Sequence, residues 1–324
     1  MSSRSDVVDG RRRRLLTAAC TFGGVALFAF VVRRTGLAEI VDGVQRVGWG
    51  LAAVLALGGL RFILRAACWR LCLPSGTALT FRQALGAFLA GDAVGNITPL
   101  GLLASEPAKI FLTRRQLATR ESVASLAVEN VIYAVSVVGM VAVGLLVVLA
   151  TVPLAVAVRW WVSAALLGSL VVGAVVLRLQ RGTWDASRGA RPQWRERLSG
   201  LRLTVTGYLA DHSARLWKVL ALDLVFHLIA VSEVFLTLRW LLGDTGPTLG
   251  QAVAFETLNR VVTVVFKFVP FRIGVDEALS AAVAPMLAVN PAAGVSLAVI
   301  RKVRSLSWSA VGLGIIAAHP TTTR

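Results

Sequence analysis

The chain runs through eight long apolar stretches, at about 15–32, 49–73, 123–150, 154–179, 216–242, 249–269, 276–289 and 293–318. A helix needs about 20 apolar residues to cross the hydrocarbon layer of a bilayer, and every stretch but the seventh reaches or approaches that length. Backbone amides at that depth find no water, so only helices, or irregular backbone buried in protein, satisfy them. The pattern predicts an all-α integral membrane protein of about eight transmembrane helices, forming a single polytopic domain over 15–318. A ninth segment, Phe81 to Phe111, is apolar but interrupted by Asp92, Asn96, Pro99, Glu106 and Pro107, and reads as a re-entrant or discontinuous hairpin.

Charge taken alone points elsewhere. With 34 Lys+Arg against 17 Asp+Glu the net charge is +17, which by itself indicates nucleic acid or an anionic surface. Composition excludes the first: 56% of residues are apolar and only 16% charged, with a mean hydropathy of +0.73. Soluble domains carry roughly 25% charged residues, so a soluble enzyme, a disordered basic tail and a nucleic-acid binder are set aside. Thirty of the 34 basic residues are arginine, and their placement reads as a topology label.

Arginine and lysine accumulate in cytoplasmic loops. Arg4 and Arg11 to Arg14 precede the first stretch; Arg65, Arg70 and Arg82, then Arg114, Arg115 and Arg120, then Arg178 to Lys218 follow. If segment 81–111 returns to its starting side, all of these share one face, with Arg33, Arg34, Arg46 and Arg159 as exceptions. Residues 1–14 therefore read as a basic cytoplasmic N-terminus and 319–324 as a tail on the same side. The polar stretch 180–215 reads as a basic cytoplasmic loop against anionic headgroups, joining halves of about 15–179 and 216–318. Leu15 to Val32 is longer than a signal-peptide core and ends on Arg33 and Arg34, so it reads as a first anchor. The expected location is a bacterial plasma membrane, multi-pass, with both termini cytoplasmic.

Cys20, Cys68 and Cys72 are too few and badly spaced for a disulfide framework or a metal site. Cys68 and Cys72, four apart on one helix face, read as packing residues. No HExxH, GxSxG or GK[ST] phosphate loop occurs, and His212, His227 and His319 are scattered, so neither enzyme nor cofactor is expected.

Charge inside apolar segments is the informative signal, because an ionisable side chain at the bilayer centre costs roughly 2.5–3.5 kcal/mol and therefore faces protein and has a partner. Asp92, Glu106, Lys109, Glu129, Asp223, Glu233, Glu256, Arg260, Lys267, Arg272, Asp276, Glu277, Arg301, Lys302 and Arg304 are so placed. Asp223 and His227, and Glu256 and Arg260, stand four apart and are expected to neutralise each other. Arg61 and Arg65 are expected to snorkel to a cytoplasmic end without a functional role.

Two places stand out. Gly95-Asn96-Ile97-Thr98-Pro99-Leu100-Gly101 leads to Ser105-Glu106-Pro107-Ala108-Lys109, and Phe268-Val269-Pro270 leads to Gly274-Val275-Asp276-Glu277. Each has a proline inside an apolar segment and a glutamate seven residues later. Broken helices in corresponding positions of two halves point to a transport site near the midplane, where freed amides attract anions and a carboxylate holds a proton or an amine. Ordinary kinks with carboxylates at helix starts are the plainer alternative.

At these residues the sequence resembles a known family. GNITPLGLLASEPAK followed by LTRR is similar to the N-P-x-x-x-G-E-x-x-R region in the membrane domain of bacterial lysylphosphatidylglycerol synthases and their stand-alone flippase-like relatives. FETLNRVVTVVFKFVPFRIGVDEAL and LAVIRKVRSLSWSAVGL resemble the P-G-x-x-G-v-x-E and R-x-R-x-x region, in look closest to the hopanoid-biosynthesis-associated branch. The resemblance implies Asn96, Pro99, Glu106 and Lys109 in one inward motif, and Glu256, Arg260, Pro270, Gly274 and Glu277 in the other, with Glu129, Arg301 and Arg304 beside them. The chain departs from the pattern at Phe271, where glycine usually follows proline, at Ser105 before Glu106, and at Asn130 and Tyr133 after Glu129. Lipid aminoacylation is not expected, because no soluble transferase domain follows.

The function expected is translocation of a polar-headgroup lipid through a cavity between the two broken helices. Lys109, Arg260 and Arg301 would hold phosphate, and Glu106 and Glu277 a proton or amine. The other class is a non-transporting membrane subunit that presents or anchors lipid-linked intermediates for a separate lipid-modifying enzyme.

Overall fold

The computed structural model describes residues 33, 37–74, 76–98, 101–181, 213–266 and 269–318. Among the described residues regular structure is entirely helical, with no strand. Ten α-helices follow in order: α1 (Leu37–Val47), α2 (Gly50–Leu71), α3 (Phe81–Ile97), α4 (Leu102–Thr113), α5 (Thr119–Thr151), α6 (Val156–Arg181), α7 (Ser213–Leu242), α8 (Leu249–Val265), α9 (Val275–Val283) and α10 (Pro291–Ala318). The first apolar stretch, the basic N-terminus and most of 180–215 lie outside the described residues.

Three described helical stretches are long and apolar enough to cross a membrane by length and composition: Gly50–Leu71, Thr119–Thr151 and Arg215–Thr245. Helix α10 has the length, at 28 residues, but Arg301, Lys302 and Arg304 interrupt its apolar run. The seventh stretch forms only the nine-residue α9 and a short 3-10 turn, Ala284–Leu287, about half the length a crossing needs. Leucine and valine side chains on α5 and α6, such as Leu146, Leu167 and Val171, stand exposed, as side chains facing lipid do.

Local chemistry fixes where the helices start and break. Helices α3 and α8 both open on a Thr-x-x-Gln box: Thr248 Oγ1 accepts from the Gln251 N–H at 3.2 Å while Gln251 Oε1 accepts from the Thr248 N–H at 2.7 Å. Thr80 and Gln83 make the same exchange. Both helices then run into an interruption. Between α3 and α4 the Gly101 N–H donates to the Thr98 carbonyl at 3.2 Å, and Gly101 has φ +48. Between α8 and α9 it passes a 3-10 turn at Pro270–Arg272, with Phe271 and Arg272 both at φ +48 and Gly274 at φ +81. Phe271 therefore holds a left-handed conformation that favours glycine, the residue the family resemblance expects there.

The chain forms two compact units built from non-contiguous segments. The first takes the residues up to Gly59, Leu89–Pro107 and Val231 onward; the second takes Leu60–Phe88 and Ala108–Ala230. Both helix interruptions belong to the first.

In the first unit α10 is approached closely on four sides, wherever a glycine removes the obstacle of a side chain. A Cβ on Gly312 would lie 2.2 Å from the Leu89 carbonyl oxygen of α3, and one on Gly294 2.6 Å from the Ser280 carbonyl oxygen of α9. Likewise Gly43 of α1 meets Ser296, and Gly58 and Gly59 of α2 meet Arg304 and Trp308. Small residues at such crossings are how helices pack when lipid supplies no hydrophobic drive between them. In the second unit Trp69 sits at the centre, edge-on to Phe88 at 5.7 Å, with its indole N–H donating to Ser125 Oγ at 3.0 Å.

Candidate functional site

Three neighbouring cations on α10 point to three carboxylates on three other helices of the first unit. Arg301 Nη2 donates to Glu256 Oε2 of α8 at 3.0 Å, Lys302 Nζ to Glu277 Oε1 of α9 at 2.5 Å, and Arg304 to Glu233 Oε2 of α7. Positions 301, 302 and 304 fall around the helix circumference, so one turn of α10 reaches three partners. Glu233, Glu256 and Glu277 are all essentially without solvent exposure. Burying such ions is tolerated only when each is paired and hydrogen-bonded, which is the arrangement here.

Glu256 is the most heavily used. Its Oε1 takes Arg260 Nε at 2.8 Å, its Oε2 takes Arg301, and Asn259 Nδ2 lies 3.4 Å from the same Oε2. The expected neutralisation of Glu256 by Arg260 is present, with a second arginine added. A cavity of about 10 Å³, lined by residues including Asn259, Asp276, Ser280 and Arg301, lies beside it, room for one water. Four cations, Arg260, Arg301, Lys302 and Arg304, thus face three carboxylates; Arg272 and Asp276 form a separate pair at 3.1 Å.

Glu277 is tied on both sides. Its Oε2 accepts the Gly274 N–H at 2.9 Å, closing the start of α9, while Lys302 binds Oε1 and also donates to the Arg272 carbonyl at 3.3 Å. Lys302 and Glu277 therefore clasp the interruption itself. In the described structure the amine at Glu277 is that of Lys302, one residue beyond Arg301.

Of the first motif, Asn96 donates to Asp92 Oδ2 at 2.8 Å and to Ser309 Oγ of α10 at 3.3 Å. Glu106 lies half-buried on α4, one turn before Lys109. Lys109 is buried with its ammonium 4.1 Å from the Phe88 ring centroid, a cation–π seat in the second unit. Pro99 and Lys267 lie outside the described residues. Pro270 and Gly274 shape the turn. Asn96, Glu106, Glu256, Arg260, Pro270, Gly274, Glu277, Arg301 and Arg304 belong to the first unit, and Lys109 and Glu129 to the second.

Glu129 centres a different cluster. Arg65 grips it with both terminal nitrogens, at 2.7 and 3.0 Å, and lies 3.7 Å from the Tyr133 ring centroid and 3.9 Å from Asp223. The expectation that Arg65 snorkels is corrected: its side chain is 11% exposed and held inside by Glu129. Arg61 likewise stacks on Phe226 at 4.6 Å. The Cys68 thiol lies 3.8 Å from Asp223, and the Ser136 hydroxyl stands by both Asp223 and His227, 3.1 Å from His227 Nε2, whose ring stacks on Tyr133. Cys68 and Cys72 are free and buried as packing residues. Among the described residues no group of three or more His, Cys, Asp or Glu is placed to hold a metal.

Of the ionisable groups that the sequence places in apolar segments, Glu129, Asp223, Glu233, Glu256, Arg260, Arg272, Asp276, Glu277, Arg301, Lys302 and Arg304 stand in ion pairs. Compared with known families, residues 15–314 match the family described as the lysylphosphatidylglycerol synthase TM region. The chain belongs to this family. It is a membrane protein of a family tied to lipid modification, all-helical in its described residues, with helices long and apolar enough to span. No curated protein and no solved structure matches it.

Lys302, Glu233 and Arg65 are the residues whose part the sequence understated. Each was visible as charge in an apolar run, but the partner lies 71 residues away for Arg304 and Glu233 and 64 for Arg65 and Glu129. No local spacing reports such a pairing.

Proposed function

We propose that this chain is a translocator that carries the polar headgroup of a lipid across a bacterial plasma membrane without altering it chemically. It would be a multi-pass protein with both termini cytoplasmic. The observation that carries this reading is the buried cluster around α10, where four cations meet three carboxylates beside an interrupted helix. A net positive seat inside a membrane domain suits an anionic phosphate, and guanidinium groups bind phosphate in paired hydrogen bonds. Arg260 and Arg301 are the phosphate-binding candidates, because both already hold an oxyanion, the Glu256 carboxylate. A headgroup phosphate would replace Glu256 there, and protonation of Glu256 would release both arginines together. Lys302 and Glu277 keep the α8–α9 turn in shape. With no nucleotide-binding loop in the sequence, movement would be driven by an ion gradient, by removal of product, or by the lipid gradient alone.

The test is reconstitution into vesicles with fluorescent phosphatidylglycerol and an impermeant quencher. Transbilayer movement well above that of empty vesicles is expected. Vesicles indistinguishable from empty ones would reject transport and favour the alternative, a subunit that presents lipid-linked intermediates to a lipid-modifying enzyme.

A further inference from the structure

The second unit buries a carboxyl group that no close ion pair serves. Asp223 of α7 is 1% exposed and stands about 12 Å into the apolar stretch Arg215–Thr245. Arg65 of α2 faces two carboxylates at unequal distances, 2.7 and 3.0 Å to the oxygens of Glu129 and 3.9 Å to Asp223 Oδ1. A charge-assisted hydrogen bond is about 2.7–2.9 Å long, so the guanidinium is engaged by Glu129. The Cys68 thiol, a weak donor, lies 3.8 Å from the same Oδ1, and Oδ2 is buried without a hydrogen-bond donor among the described residues. An ionised carboxylate held this way is costly, and the form of the group that avoids the cost carries a proton.

Ser136 of α5 decides how such a proton is held. Its hydroxyl stands beside Asp223 and 3.1 Å from His227 Nε2. A hydroxyl has one hydrogen, and that of Ser136 goes to the Tyr133 carbonyl at 2.8 Å. Toward Asp223 and His227 its oxygen therefore only accepts. An ionised Asp223 would set oxygen against oxygen there, whereas a protonated one donates. One hydroxyl thus joins a buried acid to an imidazole, the side chain whose ordinary titration lies nearest neutral pH. The other titratable or charged groups facing this place are Arg61 and the Cys72 thiol of α2, with Arg61 over the Phe226 ring at 4.6 Å, and Tyr133 of α5, stacked on His227.

We propose that Asp223 is a proton-binding site inside the membrane domain, that Ser136 passes the proton between it and His227, and that this proton is the coupling ion of the translocation proposed above. In the transfer His227 Nε2 gives its hydrogen to Ser136 Oγ, while the Ser136 hydrogen swings from the Tyr133 carbonyl to Asp223. The imidazolium becomes neutral imidazole and the carboxylate becomes the acid. The coupling rests on the transport reading; the site does not.

The experiment is infrared spectroscopy of the purified full chain in detergent at neutral pH, in light and in heavy water. A protonated carboxyl shows a C=O stretch apart from those of ionised carboxylates, and it moves on deuteration. The wild type should show this band, Asp223→Asn should lose it, and Asp244→Asn, in an exposed turn, should keep it whole. Ser136→Ala should keep the band but shift it, because the acid loses the oxygen it donates to. If Asp223→Asn fails to fold, Asp223→Glu must shift the band. No band in the wild type, a band undiminished in Asp223→Asn, or one unmoved in Ser136→Ala would overturn the site. In phosphatidylglycerol vesicles a pH gradient of about one unit is worth a factor of about ten in lipid distribution for one coupled proton. The wild type should approach that asymmetry and Asp223→Asn should stay even. An even distribution in a transporting wild type overturns the coupling alone, and a chain that moves no lipid overturns translocation while the band still decides the site.

Discussion

Replacing Lys302 by methionine should be among the most damaging single changes in the first unit. The ammonium lies 2.5 Å from Glu277 Oε1, with the lysine side chain 13% exposed and the glutamate not at all. At an effective dielectric of about 20, that separation corresponds to roughly 7 kcal/mol of attraction. Desolvation of the two ions takes back much of this, so the pair's net value is small, yet removing one partner strands a buried carboxylate and costs about 3–5 kcal/mol. The loss of the Lys302 bond to the Arg272 carbonyl adds to it, since that bond holds a turn with two non-glycine residues at positive φ. Equilibrium unfolding in mixed detergent micelles measures the effect, and Glu277→Gln should cost a similar amount. The double variant should recover part of the loss, because no unpaired ion then remains. A Lys302→Met chain within about 1 kcal/mol of the wild type, or a double variant whose loss equals the sum of the singles, would refute the clasp.

Three further outcomes follow from the packing. Gly312→Ala should cost about 1–3 kcal/mol, because a Cβ 2.2 Å from a backbone oxygen forces α3 from α10, whereas Gly314→Ala, with nothing within 4 Å, should be neutral or stabilising; thermal unfolding compares them. Arg65→Lys should lose about 1.5–3 kcal/mol in the same assay, since lysine cannot span both Glu129 oxygens while lying over Tyr133. In a Cys20→Ser background, Cys68 and Cys72 should resist maleimide until the chain unfolds, because both are buried in the packing between α2, α5 and α7; labelling in the folded state would contradict that burial.

What the sequence conveys divides by range. The interruption after Val265 was legible because Pro270 and Gly274 act locally, and the Glu256–Arg260 pair because four residues make one helical turn. For Asp223 and His227 the spacing says nothing of the neighbours on other helices, Arg65 and Cys68 on α2 and Ser136 on α5. Helix α1 escaped a hydropathy reading because Asp42, Gln45 and Arg46 dilute its apolar face, and Asp42 and Arg46 bridge at 2.6 Å on its outer side. Lys302 and Arg301 are neighbours in sequence with different partners, a division that depends on where α8 and α9 pack against α10. Hydropathy finds the charges in the membrane; only the packing says which of them meet.

In the proposed transport the arginines held by Glu256 seat a lipid phosphate during transbilayer movement. The most direct measurement is the initial rate at which labelled phosphatidylglycerol becomes accessible to an impermeant quencher, in vesicles holding equal amounts of folded wild-type or Arg301→Gln chain. A rate at least about tenfold lower is expected for Arg301→Gln, the loss of one charge-assisted phosphate contact. Equal rates in the two preparations would contradict it.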